Sequence, residues 1–305
     1  MDILSLPNEL LLSIAENLAV KDLSHFVSAC RHLSSLLTPR LHNFALQNVG
    51  QLTALQWAVS NGHAPLAELA ISNGAKVDER YPYYYKWAGR FPLHQAAKKD
   101  HPDVIRVLAK HGAQLGVRDN HMRTPLHCAA WYQSPGAIRA LLELGADTTC
   151  IDNFGKSPAH IAASKGPIDC MKPFVDAGLD FSYKDQRGRT VLHDAVALGV
   201  PMMKYLLQSG GAGVINARDF QRQTPLHRAF ISPGVTEEMV RLLLDHGANT
   251  EVKDYRGRTP VYLNCRFRNH MFTTMLLESR ASPPNPDWTS EDEREIPLSE
   301  LPDWY

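Results

Sequence analysis

A seven-residue pattern returns along this chain at a nearly constant interval, and nothing else in the sequence restricts the fold so strongly. Six copies align without gaps: "FPLHQAA" from Phe91, "TPLHCAA" from Thr124, "SPAHIAA" from Ser157, "TVLHDAV" from Thr190, "TPLHRAF" from Thr224 and "TPVYLNC" from Thr259. Their starts lie 33, 33, 33, 34 and 35 residues apart, and a seventh copy, "TALQWAV" from Thr53, stands 38 residues before Phe91. A period of this length belongs to a supersecondary unit that stacks on copies of itself.

Each unit reads mechanically. Thr or Ser at the first place offers a side-chain oxygen to the unbonded N–H groups of a helix start, and Pro behind it has no N–H to leave unbonded and a φ already helical. Further on comes a second apolar stretch that stops at Gly, as in "DVIRVLAKHGA", "AIRALLELGAD" and "MVRLLLDHGAN". Glycine takes the left-handed conformation that ends a helix. Two short helices cannot bury their apolar faces alone, so the units must stack.

These registered copies resemble ankyrin repeats, whose signature is T-P-L-H-x-A, over residues 48–282. The resemblance implies an all-α solenoid of about seven helix pairs, with hairpin fingers projecting beside a concave face.

Several constellations look chemical and are better explained by the repeat. His94, His127, His160, His193 and His227 recur in register. Stacked helices lie about 8 to 10 Å apart, whereas a Zn–N bond needs about 2 Å, so equivalent histidines in successive units cannot share an ion. The resemblance assigns this residue instead to hydrogen bonds tying neighbouring loops. Asp119, Asp152, Asp185, Asp219 and Asp254 fall five residues before each cap, where a short acid bonds its own turn backbone. "SGGAGVINARD" from Ser209 lacks the GK[ST] of a phosphate loop and reads as a one-residue insertion. Without a Ser/His/Asp set, an HExxH or paired carboxylates outside the register, the expectation is no enzyme, no metal and no cofactor.

Composition adds exclusions. Lys plus Arg and Asp plus Glu number 32 each, so no overall field favours nucleic acid or membrane. Five scattered cysteines without a CxxC pair fit reduced thiols, and "LLLSIAENLAV" is broken by Glu16 and Asn17, unlike a leader or a membrane span. A soluble intracellular protein is expected.

The ankyrin resemblance turns the positions before each cap, and the ends of the inner helices, toward a binding groove. In this chain they include Arg90, Arg123, Trp131, Tyr132 and Phe154, followed by Arg187, Arg189, Phe220, Arg222, Tyr255, Arg256 and Arg258. Aromatic and arginine side chains concentrate binding energy at protein interfaces, so the expected ligand is an acidic or mixed polar peptide surface. The interval of 38 puts five extra residues in the first long finger, at "DERYPYYYKWAGR". There Tyr81, Tyr83, Tyr84, Tyr85 and Trp87 are expected to decorate an extended hairpin for a partner. The alternative is that the run folds down over the first repeat's core.

The two ends depart from the period. Residues 1–47 open with Pro7 at a helix start and place Leu10, Ile14 and Leu18 in one stripe. The "LP-x-E-L-L" opening, the "DL" and the "ACRHL" stretch resemble an F-box, a small helical module that docks on the SKP-type adaptor of a cullin–RING ubiquitin ligase. Carried over, the adaptor contacts are Leu6, Pro7, Leu10, Ile14, Leu18, Asp22 and Leu23. The same stripes also suit a cap on the solenoid's exposed end. Residues 283–305 are Pro-rich and acidic, yet carry Trp288, Leu298, Leu301 and Trp304. They are expected to cover the last repeat, or to lie against the basic fingers and compete with a ligand. The expected role is a substrate-recruiting subunit of an SCF-type E3 ligase, with a plain scaffold, or an ankyrin-fold enzyme with a pocket around Trp131, Tyr132 and Phe154, as rivals.

Overall fold

The computed structural model describes residues 54–266 apart from 73, 82–88, 233 and 234, together with 272 and 276. Among the described residues all regular structure is helical. Inner helices are α1 (Ala54–Asn61), α3 (Pro92–Lys98), α5 (Pro125–Trp131), α7 (Pro158–Lys165), α9 (Val191–Ala195), α11 (Pro225–Ile231) and α13 (Pro260–Arg266). Outer helices are α2 (Ala64–Ser72), α4 (Pro102–Lys110), α6 (Pro135–Glu143), α8 (Ile168–Asp176), α10 (Val200–Gln208) and α12 (Glu237–Asp245). Inner helices pack side by side, α3 between α1 and α5 and α7 between α5 and α9, and the outer helices form a second layer in the same order.

At five to nine residues these helices are too short to stand in water alone, so burial holds them. Leu93, Leu126, Leu192 and Leu226 are sealed at the same place in successive inner helices, and Ile105, Leu108, Ile138, Leu141, Leu206 and Leu243 seal the outer layer. Each such side chain contributes about 2 kcal/mol over its exposed state. The fourth unit has Ala159 where its neighbours have Leu, and Phe174 in the same unit's outer helix where they have Leu, both buried. A volume lost on one helix is restored on its partner.

Connections follow from backbone chemistry. After α4, α6, α8 and α12 the chain turns at Gly112, Gly145, Gly178 and Gly247, all at φ between 82° and 86°. The extra residue of the fifth unit is taken up around Gly210 (φ 115°) and a 3-10 turn, Gly211–Val214.

Candidate functional site

Each finger is one tight hairpin built on an aspartate. In the third unit, Asp119 N–H donates to the Arg123 carbonyl (2.9 Å) and Met122 N–H to the Asp119 carbonyl (3.0 Å). The Asp119 carboxylate accepts from the N–H of His121 (2.8 Å) and Arg123 (3.0 Å). The same net recurs at Asp152, Asp185, Asp219 and Asp254. Fingers also bond to each other at their tips: Asn153 N–H to the His121 carbonyl, Gln186 to Gly155, Phe220 to Arg187 and Tyr255 to Gln221, at 3.0 to 3.2 Å.

Beneath the tips runs a histidine ladder. The Nε2 atoms of His94, His127, His160, His193 and His227 lie 2.8 to 3.1 Å from the carbonyls of Arg123, Lys156, Arg189, Gln223 and Arg258, each in the next unit. A carbonyl only accepts, so Nε2 carries the proton. Nδ1 then accepts from the cap residue, as it does from Thr124 N–H at 3.1 Å. Burial drives the basicity of His94, His127, His193 and His227 down to about 4, against a smaller upward pull from the carbonyl bonds.

These nets sort the candidate side chains. Arg123, Arg189 and Arg258 turn back on their own fingers and fork onto Asp119, Asp185 and Asp254 at 2.7 to 3.0 Å. Arg189, buried, also lies 3.6 Å from Asp194, to which Lys156 of the preceding unit donates at 2.9 Å. Their guanidinium groups are spent inside the array and hold fingers in place. In the sixth unit Gln223 replaces the arginine, and burial pushes the Asp219 carboxyl up to about 6.

Other candidates face outward. Trp131 and Tyr132 are 37% and 36% exposed, Phe220 45% and Phe154 66%. Tyr132 accepts a bond from Arg90 Nη2 (3.2 Å) and carries Lys98 Nζ 4.6 Å from its ring centre, while Lys165 Nζ stands 4.0 Å from that of Trp131. Burial pushes the Tyr132 hydroxyl up, but the Arg90 bond and the Arg90 and Lys98 charges outweigh it and hold the group below the usual phenol range. Lys98 and Lys165 were not singled out by the sequence reading; their signal was the shared end of neighbouring inner helices that Trp131 and Tyr132 occupy. Arg187 and Arg256 are exposed, and Arg256 lies over the Tyr255 ring at 5.0 Å. Arg222 occupies a fingertip at φ 55°.

One expectation is overturned. Tyr81 does not decorate a projecting hairpin: it is 3% exposed, and its N–H and carbonyl pair with Arg90 and Gly89 at the base of the first finger. Its ring is apolar enough to be worth more in the core than in water, and for this residue the run folds inward. Tyr83, Tyr84, Tyr85 and Trp87 lie outside the described residues, as do Leu6, Pro7, Leu10, Ile14, Leu18, Asp22 and Leu23 and the whole of 283–305.

Among the described residues one set of metal-ligating atoms converges: those of His94, Asp119 and Cys128 lie within 4.8 Å of one another. They do not fit an ion. His94 Nε2–H is bonded to a carbonyl, Asp119 is filled by Arg123 and two backbone N–H groups, and burial pushes the Cys128 thiol up to about 11. A cavity of about 150 Å³ lies between the fifth and sixth units, lined by Val196, Leu198, Val200, Ala229, Val235 and Met239. It is below the volume of a small-molecule site and does not involve the Trp131–Phe154 face.

Charge is segregated over the array. In 90–99, 117–133, 150–165, 183–198, 217–232 and 252–264, the fingers and inner helices carry sixteen Lys and Arg against six Asp. Those six, Asp119, Asp152, Asp185, Asp194, Asp219 and Asp254, are all buried. The outer helices and their loops (100–116, 134–149, 166–182, 199–216, 235–251) carry six basic against eleven acidic residues.

Comparison with known proteins agrees with this architecture. A family profile described as ankyrin repeats (3 copies) matches residues 17–119, 55–152 and 144–219, and one described as ankyrin repeat matches 221–255. Human ankyrin repeat domain-containing protein 63 is 35% identical over 80 residues, 26% of this chain and 21% of that protein. The mouse B-cell lymphoma 3 protein homolog is 36% identical over 72 residues, 24% and 16%. The chain thus matches about a fifth of the length of these curated relatives. The ankyrin repeat domain of Bcl-3, a member of the IkappaB protein family, superposes with a TM-score of 0.60 at 28% identity, covering 70% of this chain and 94% of that one. That of human ASB11 gives 0.62 at 24%, covering 77% and 100%, a likeness of fold. With profile matches running from residue 17 to 255, over a ladder of histidines, aspartate hairpins and paired helices, the chain belongs to the ankyrin-repeat family.

Proposed function

We propose that this protein binds a partner protein on its fingers and inner-helix face, without chemistry of its own, and that the partner offers an acidic segment with aromatic side chains. One observation carries the reading: from residue 90 onward every carboxylate of the fingers and inner helices is buried, so what solvent meets along that stretch is cationic and aromatic. Exposed Phe154, Phe220, Trp131 and Tyr132 supply apolar contact at low entropy cost. The test is the affinity of a fluorescent Glu- and Trp-containing peptide for the full chain and for the double variant Arg187→Glu, Arg256→Glu. We expect about a tenfold loss at an unaltered melting temperature, since two inverted surface charges change affinity by about 1.4 kcal/mol or more. Unchanged affinity, or equal binding of the Lys counterpart peptide, refutes the reading.

We further propose that such a partner is a target for ubiquitin transfer, with residues 1–47 docking on an SKP-type adaptor. The support is the F-box resemblance of that segment. Co-purification of the full chain with the adaptor, abolished by Leu10→Asp or Ile14→Asp, is the expected result. The ankyrin profile begins at residue 17, which favours a second reading in which this segment caps the array; retention of the full chain's fold with no adaptor recovered supports that one.

A further inference from the structure

We infer that residues 283–305 are an internal occupant of the finger row, seated on the basic fingers of the fifth to seventh units and displaced when a partner binds. The inference rests on the docking reading above and names what fills that surface in the partner's absence.

The first argument is where the chain keeps its acid. The whole sequence is neutral, yet the described array from 90 to 264 carries a net charge of +5, the fingers and inner helices alone +10. Residues 283–305 hold seven acids and one arginine, a net of −6, four of them in the run Glu291, Asp292, Glu293 and Glu295. Neutrality is therefore the sum of a basic face and an acidic segment, the arrangement that brings two surfaces together.

The second argument is geometry. Lys184, Arg187, Arg222, Lys253 and Arg256 stand on three consecutive fingers, with exposed Phe220 between them. Fingers in a stacked array are about 10 Å apart, and extended chain rises about 3.3 Å per residue, so every third residue meets a new finger. Pro283, Pro284, Pro286, Pro297 and Pro302 bias the segment to extended backbone and lower the entropy lost on docking. At full extension 23 residues reach about 75 Å, several times the three-finger span. Trp288, Leu298, Leu301 and Trp304 are the apolar side chains that the exposed finger aromatics accept.

Single surface ion pairs are weak, but tethering gives the segment a local concentration on the order of millimolar, so several weak contacts suffice in cis and yield to a stronger partner. The experiment compares the native full chain with a full chain carrying E291Q, D292N, E293Q and E295Q. The probe is a labelled peptide of residues 285–305 supplied in trans at about 50 mM salt, where screening is modest. We expect the neutralised chain to bind the peptide about tenfold more tightly than the native one, the gain vanishing at about 1 M salt. Arg187→Glu with Arg256→Glu in the neutralised chain removes the binding. Equal affinity for both chains overturns the inference, and so does tight binding indifferent to that charge inversion; in either case the Glu- and Trp-containing peptide still reports on the docking reading independently. A tenfold gain for single-stranded RNA but none for the peptide overturns it in favour of nucleic acid.

Discussion

Acidification tests the histidine ladder directly. His94, His127, His193 and His227 are buried and neutral, held near 4, while the same groups in unfolded chain titrate near 6.5. Between those values the unfolded state binds more protons than the native one, so stability falls as pH falls from about 6.5 toward 4 and levels off below. At pH 5 the loss is about 2 kcal/mol per histidine and about 8 for the four. Asp219 works in the opposite sense: its native value near 6 exceeds the unfolded one, so it gains protons first in the folded protein and returns about 1 kcal/mol by pH 5. Asp119 and Asp185, held below the ordinary range despite burial by their arginines and backbone donors, weigh in only below about pH 4. The net loss is comparable with the whole stability of a typical domain. Urea midpoints by far-ultraviolet circular dichroism, taken at half-unit steps from pH 7.5 to 4.5, are expected to fall steeply through the middle of that range. A midpoint flat between pH 7 and 5 refutes the assignment of neutral, carbonyl-bonded histidines.

The fingertips provide two more measurements. Met122 occupies the left-handed position (φ 58°) that Gly155, Gly188 and Gly257 fill in other fingers, and its side chain is exposed; Met122→Gly is expected to raise stability by about 1 kcal/mol, read as a higher urea midpoint. Gln223→Arg supplies Asp219 with the fork that Arg189 gives Asp185; the carboxyl is expected to titrate below 4 instead of near 6, followed by NMR, with stability at pH 7.5 rising by about 1 to 2 kcal/mol.

The fold was legible because its determinants are local and periodic. A cap, a proline, a leucine and a histidine in fixed order specify a helix start, complete at Thr124 and Thr224 and partly substituted in the other copies, and seven registered copies of the pattern leave no choice but stacking. The aspartates were legible for the same reason, since a carboxylate reaching its own turn needs no distant partner. Arg123, Arg189 and Arg258 were harder: in sequence they match Arg187 and Arg256, and only the hairpin bend aims one set inward at Asp119, Asp185 and Asp254 and leaves the other outside. Tyr81 was misjudged because it sits in a run of aromatics whose members face different ways, which composition cannot resolve. Lys98 and Lys165 escaped because their role depends on Tyr132 and Trp131, one unit away in space.

The hairpin and ladder bonds end almost wholly on main-chain groups: aspartate on N–H, histidine on C=O, tip N–H on tip C=O. Apart from the inward arginines and the left-handed position, the residues between the aspartate and the cap are therefore largely exchangeable. Phe220 and Tyr255 stand where Asn120 and Asn153 do, in frames that differ little. A fingertip transplanted from one unit to another carries its recognition with it, and selectivity in such a chain is reprogrammable one loop at a time, without renegotiating the fold.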